Sequence, residues 1–264
     1  METVEIDDTE VRYEVRGAGE HVICLHATPF VDWYLPLIDR MPGYAFLRYT
    51  RRPLDEAPLS VTKDAGTCRR LAEHLGWQRA HILGHSAGAL AALQLALDAP
   101  ELVHTLALLE PAVTSPSSGP ATADSDDPFR PILEAYVAGD HDTAVTRFLT
   151  LVGGDGARSV LEHAVPGAFE QAVQTCAFFF DVEVPSNMQY RFSAELGARI
   201  SAPVLNVVGE RTAPGFVNGA DVVHAWLPHA RRYTLPDASH LLMVEQPAAM
   251  AAALKSFFET YPIS

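Results

Sequence analysis

Ala80-His81-Ile82-Leu83-Gly84-His85-Ser86-Ala87-Gly88 is the stretch whose reading decides the fold. An apolar run ends in Gly-His-Ser-Ala-Gly, and an Ala/Leu-rich segment follows to about Ala99, where Pro100 stops it. This reads as strand, sharp turn, helix. Gly84 and Gly88 flank a single hydroxyl, and glycine lets a tight turn pass close to the neighbouring strand and helix. At such a turn Ser86 is pushed out over the end of a sheet. The alternative is a serine that only caps the helix behind it.

Upstream, residues 3–16 alternate apolar and polar with a turn near Asp7-Asp8, which predicts two strands. His21-Val22-Ile23-Cys24-Leu25-His26 is short and continuously apolar, as a buried central strand is. Ala27-Thr28-Pro29 breaks it, and a helix is expected over 31–40, followed by a strand over 44–49. Helical spacing runs from Val61 to Gly76. Downstream, Thr105 to Glu110 reads as a strand ended by Pro111. Strands alternating with helices predict a mostly parallel sheet with helices on both faces.

The pattern then changes. Residues 112–128 are rich in Ser, Pro, Asp and Ala and read as a link. Helical patterns fill 129–195, with one short strand expected near Phe178-Phe179-Phe180. The sheet resumes over 204–209, a helix follows near 216–227, a last strand covers 231–235, and a final helix lies within 240–261. The division expected is a core of 1–111 and 196–264 with a helical cap of 112–195.

The chain has 264 residues, 48% of them hydrophobic, and a formal net charge of −14. That balance is globular and disfavours nucleic acid and anionic membrane surfaces as partners. Cys24, Cys68 and Cys176 are widely spaced and odd in number, which is neither a disulfide framework nor a metal pattern. Reduced thiols and a start without a signal region point to the cytoplasm. No apolar run of roughly 18 residues is present to span a membrane.

With these elements placed, the chain resembles an α/β-hydrolase with a helical cap, of the esterase and lactonase branch. The resemblance covers about Val4 to Phe258. Four motifs carry it: His26-Ala27-Thr28-Pro29, Gly84-His85-Ser86-Ala87-Gly88, Leu109-Glu110-Pro111, and Ser239-His240 followed by Glu245-Gln246-Pro247. It implies Ser86 as nucleophile, His240 as base, and an oxyanion hole from the N–H groups of Ala87 and Thr28. Relatives usually have Gly where Ala27 stands. They place an Asp where this chain has Thr212, and a hydroxyl cannot stabilise an imidazolium as a carboxylate does. Glu110, beside the nucleophile strand, is the best substitute, with Glu210, Asp237 or no acid at all as alternatives.

His26 is expected to organise the oxyanion loop, and His85 to point away from the hydroxyl. Trp33, His85, Phe178, Phe179 and Met188 are the expected pocket residues, with Phe169, Phe180 and Tyr190 as further cap aromatics. Arg51 or Arg52 could meet an acidic substrate, though a structural ion pair is the commoner use. His224 and His229 read as solvated. The expected function is hydrolysis of a carboxylic ester or lactone of a small apolar molecule through an acyl-enzyme, with no cofactor or metal, as a monomer or homodimer. Carbon–carbon bond hydrolysis, thioester hydrolysis, cofactor-free oxygenation, or ligand binding without catalysis remain open alternatives on the same scaffold.

Overall fold

The computed structural model describes residues 1–28, 30–50, 60–113 and 127–263. Pro29, Arg51, Arg52 and most of the expected link, 114–126, lie outside the described residues. Strands β1 (Glu2–Ile6) and β2 (Thr9–Gly17) form a hairpin across Asp7 and Asp8. Both turn residues have positive φ, which matches the twist of a two-residue hairpin. Then come β3 (Gly19–Leu25), a 3₁₀ turn at Val31–Tyr34, α1 (Leu35–Ile38), β4 (Gly43–Tyr49), α2 (Val61–His74), β5 (Ala80–His85), α3 (Ala87–Asp98) and β6 (Val103–Leu109). Six helices follow: α4 (Arg130–Val137), α5 (His141–Gly153), α6 (Ala157–Ala164), α7 (Ala168–Phe178), α8 (Val184–Gln189) and α9 (Ala194–Gly197). The chain returns to the sheet with β7 (Val204–Gly209), α10 (Pro214–Trp226) and β8 (Arg231–Leu235), and ends in α11 (Leu242–Glu245) and α12 (Pro247–Thr260).

The eight strands form one sheet in the order β1-β2-β4-β3-β5-β6-β7-β8. The β1–β2 and β2–β4 pairs are antiparallel, and the rest are parallel. Successive side chains on a strand face opposite ways, so a strand covered on both sides is apolar throughout. In β3, Val22 and Cys24 join the layer with α1 and α12, whereas Ile23 and Leu25 join the layer with α2 and α3. Helix α3 is Ala-rich because it lies nearly flush on the sheet. A Cβ at Gly84 would stand 2.7 Å from the Ala89 Cα, and one at Gly88 would stand 2.2 Å from the Leu25 carbonyl oxygen.

One expected strand is absent. Phe178 ends α7, and Phe179–Glu183 form a π-helical turn that leads into α8. Phe178, Phe179 and Phe180 are all buried. A strand would send the middle ring to the opposite face from its neighbours, and a helix running into a wide turn buries all three. No helix among the described residues is long and apolar enough to cross a membrane.

Candidate active site

The site grows out of the carboxyl ends of β5 and β6, which are hydrogen-bonded neighbours with His85 paired to Leu109. Each strand is followed by a non-glycine residue with positive φ: Ser86 at 55° and Glu110 at 44°. Such backbone costs about 1–3 kcal/mol per residue and persists only where surroundings enforce it. Here they do. Ser86 N–H donates to the Leu109 carbonyl at 3.0 Å, and Glu110 N–H donates to that of Val207 at 3.0 Å.

Ser86 precedes α3 but does not cap it: its side chain makes no capping hydrogen bond. The strained backbone instead turns the hydroxyl out of the core, and Ser86 is partly exposed. Ala87 is the first residue of α3, so its N–H has no intrahelical acceptor. The β3–β5 register pairs Leu25 with Gly84, which carries residues 26–28 alongside 85–87. No acceptor among the described residues takes the N–H of Ala87 or of Thr28. The buried Thr28 Oγ1 is also without a partner. His26 is buried, with Nε2 2.9 Å from the Tyr49 carbonyl and Nδ1 2.8 Å from that of Ala27, so it ties this loop to the end of β4.

His240 lies between β8 and α11 and is 2% exposed. Its Nδ1 donates to Glu110 Oε2 at 2.6 Å. Glu110 is fully buried, and its Oε1 accepts the Gly209 N–H at 2.6 Å. Thr212 does not leave the usual acid position idle: its hydroxyl donates to Glu110 Oε2 at 2.8 Å. The carboxylate of the neighbouring strand thus reaches the turn after β7, where the resemblance implies an Asp. Glu210 is occupied elsewhere, accepting the Asp237 N–H at 3.0 Å on the surface. No hydrogen bond joins Ser86 Oγ to His240 Nε2. That contact commonly tightens only when substrate arrives.

His85 is buried and sits against the back of His240. Its Nε2 donates to the His240 carbonyl at 3.0 Å, and the ring centroids are 4.6 Å apart. Burial, then the His240 ring, hold its pKa well below the ordinary value. A neutral His85 therefore braces the His240 backbone. His240 N–H reaches the Val152 carbonyl in α5 at 3.3 Å, and the Phe216 ring of α10 stacks on the imidazole at 3.8 Å. Sequence reasoning missed Phe216, because nothing in its local pattern marks it.

Of the expected pocket residues, Trp33 is buried 5.9 Å from the His85 ring and 4.2 Å from Phe30. Phe30 continues to Phe148 at 5.9 Å and to Phe179 at 6.2 Å, which joins the helices after β6 to the loop after β3. Phe30 and Phe148 are additions to the set read from sequence. Phe178 is buried but outside this chain of rings. Met188 is 52% exposed on α8, a helix that buries none of its residues, so it does not wall the site. Phe169 packs under Arg158, and the Tyr190 hydroxyl bonds Gln94 on the other side of the sheet.

A family model described as alpha/beta hydrolase fold matches residues 64–146, the part that carries Ser86 and Glu110. Among curated proteins, the chain is similar to the dihydrolipoyllysine-residue acetyltransferase component of an acetoin cleaving system from Cupriavidus necator. The two are 29% identical over 153 residues, 51% of this chain and 40% of that protein. The matched stretch spans only about two fifths of the curated relatives' own length, 40% and 41% for the first two. Among solved structures, a hydrolase from Pseudomonas aeruginosa superposes with a TM-score of 0.80 at 21% identity, covering 97% of each chain. The enol-lactonase from Burkholderia xenovorans superposes with a TM-score of 0.81 at 16% identity, covering 98% of this chain and all 100% of that one. The sheet order, the turn at Ser86 and these likenesses agree: the chain has the α/β-hydrolase fold.

Proposed function

We propose that the protein is a serine hydrolase that cleaves a carboxylic ester or lactone of a small apolar substrate through an acyl-enzyme. The observation that carries this reading is the buried Glu110–His240 hydrogen bond, 2.6 Å long, behind a serine whose strained backbone turns its hydroxyl out of the core. A free hydroxyl is a weak nucleophile and needs such an oriented base.

In the first half-reaction, His240 Nε2 takes the Ser86 proton as Oγ attacks the carbonyl carbon. The N–H groups of Ala87 and Thr28, which have no other acceptor among the described residues, receive the oxyanion. Glu110 holds the imidazole by Nδ1–H and stabilises the imidazolium without taking its proton. His240 then protonates the leaving alkoxide, and the C–O bond breaks. In the second half-reaction, water gives a proton to His240 as its oxygen attacks the acyl carbon. The C–Oγ bond then breaks, and His240 passes that proton to Ser86 Oγ as the carboxylic acid leaves. A lactone differs only in that the alcohol stays tethered to the acyl group.

The described part of the expected cap, residues 127–195, acts as a lid in this reading. The Phe30–Phe148–Phe179 contacts and the Val152–His240 hydrogen bond place α5 and the turn after α7 against the oxyanion loop and the base. Rings there favour an apolar acyl or alcohol group. The names of structural relatives, a hydrolase and an enol-lactonase, agree with the reaction class.

The test is covalent labelling by a fluorophosphonate, followed by peptide mass spectrometry. One adduct on Ser86 is expected, with its loss in Ser86→Ala and a parallel loss of p-nitrophenyl ester turnover by about a million-fold or to background. Turnover that survives Ser86→Ala would sink the reading.

A further inference from the structure

The turn after β7 grips the Glu110 carboxylate from two sides. Gly209 N–H donates to Oε1 at 2.6 Å, and the Thr212 hydroxyl donates to Oε2 at 2.8 Å. Oε2 is also the oxygen that His240 Nδ1–H engages, at 2.6 Å. One carboxylate oxygen therefore serves two donors from two different loops, and its charge is divided between them. The same turn holds the loop that leads to His240, because Arg211 N–H donates to the Ala238 carbonyl at 2.8 Å. Glu110 needs such a clamp. It reaches the base from the neighbouring strand, on a backbone with φ of 44°.

We propose that Thr212 is a positioning residue for the Glu110–His240 pair. Its hydroxyl fixes which oxygen of Glu110 faces the imidazole. By drawing on that same oxygen, it also restrains the carboxylate's pull on the imidazole proton. The proposal rests on Ser86, His240 and Glu110 acting as the catalytic triad.

The groups that face His240 are few. Glu110 approaches from the end of β6, neutral His85 from the end of β5, the Phe216 ring from α10 and the Val152 carbonyl from α5. On the flanking loop, Arg211 and Glu245 stand 3.9 Å apart, and Glu245 also accepts the Ser239 N–H at 2.5 Å. Glu110 is thus the charge in hydrogen-bond contact with the ring. Without the Thr212 hydroxyl, all of Oε2 turns to Nδ1–H, and the imidazolium gains. The neutral form that accepts the Ser86 proton then appears only at higher pH.

The experiment follows the rate of fluorophosphonate attachment to Ser86 across pH in the wild type and in Thr212→Val, Thr212→Ala and Thr212→Ser. Two hydroxyl-free variants are used so that misfolding of one leaves the other, and thermal melts check both. The acid limb of the profile is expected to move up by about half to one pH unit in the Val and Ala variants. The rate near pH 6 should fall about threefold to tenfold, as one unit is a tenfold change in the neutral fraction. Thr212→Ser should restore both. Proton NMR of the resting protein adds a readout free of reactivity: the low-field Nδ1–H resonance of His240 should move further downfield when the hydroxyl is gone. Superimposable profiles and an unmoved resonance would overturn the proposal, as would a serine variant that restores nothing. Wild-type protein that takes no label at Ser86 overturns the triad reading itself, and this inference with it.

Discussion

Strand β5 carries a buried histidine at each end, and the two ends are finished differently. At the amino end, His81 Nε2 donates to Glu20 at 3.0 Å and Nδ1 accepts from the Thr105 hydroxyl at 2.8 Å. Its ring stacks on Phe258 at 4.1 Å, and Glu20 also accepts the Ile263 N–H at 2.9 Å. Both ring nitrogens of a neutral His81 are thereby satisfied, and the same cluster ties down the C-terminal segment. At the carboxyl end, His85 is satisfied, but around it the buried Thr28 Oγ1 and Trp33 Nε1 have no partner among the described residues. A buried donor without an acceptor costs about 1–3 kcal/mol. The amino end carries one such atom, the buried Nδ1 of His104 beside His81, whereas at the carboxyl end a ligand can supply the missing partners. The amino end ties the C-terminal segment to the sheet, and the carboxyl end holds the residues of the proposed site.

That contrast can be broken at several points. The largest effect is expected from Glu110→Gln, which keeps the shape and removes the charge. It should cut kcat about ten-thousandfold while the protein stays folded. Adding Thr212→Asp to Glu110→Gln puts a carboxylate on the turn after β7, against the position of Glu110, and should recover at least about tenfold of that loss. Steady-state kinetics on an ester decide it, and a double variant no better than the single one would show that only the β6 carboxylate can serve. Next is Gly88→Ala. Its methyl would press on the Leu25 carbonyl and the His26 nitrogen, at 2.2 and 2.5 Å, so backbone must move. A loss of about 3 kcal/mol in urea unfolding is expected; full stability would mean that the turn is looser than it looks.

The smallest effect belongs to the amino end. An unfolded histidine titrates near 6.5, whereas burial holds His81 down to about 4. Between those values the unfolded chain takes up a proton that the native chain refuses. Stability present above about pH 6.5 is therefore lost on acidification, by up to about 1.4 kcal/mol per pH unit for each such group. His85, lowered for the same reason, adds in the same direction. Urea melts near pH 7.5 and pH 5 should differ by about 1–3 kcal/mol. His81→Gln should flatten that slope and leave the labelling of Ser86 unchanged. A change in labelling would mean that the two ends are coupled.

Much of this was legible in the chain. The strand–turn–helix around Ser86 and the buried strands follow from local apolar period and small residues, and such signals survive in sequence. The order of Ser86, Glu110 and His240 is what the family resemblance implies. The replacement of the usual acid by Thr212 was legible too, and it pointed to Glu110. The sequence favoured Glu110 but left Glu210, Asp237 or no acid open, since all three carboxylates lie near strand ends. The sheet decides it, by placing β6 between β5 and β7 so that Glu110 faces the turn at Gly209 and Thr212. The ring of Phe216 on His240, the exposure of Met188 and the helical course of Phe178–Phe180 were out of reach for the same reason. Period and composition are properties of neighbours along the chain. Which side chains meet depends on how distant segments pack, and only the tertiary structure sets that.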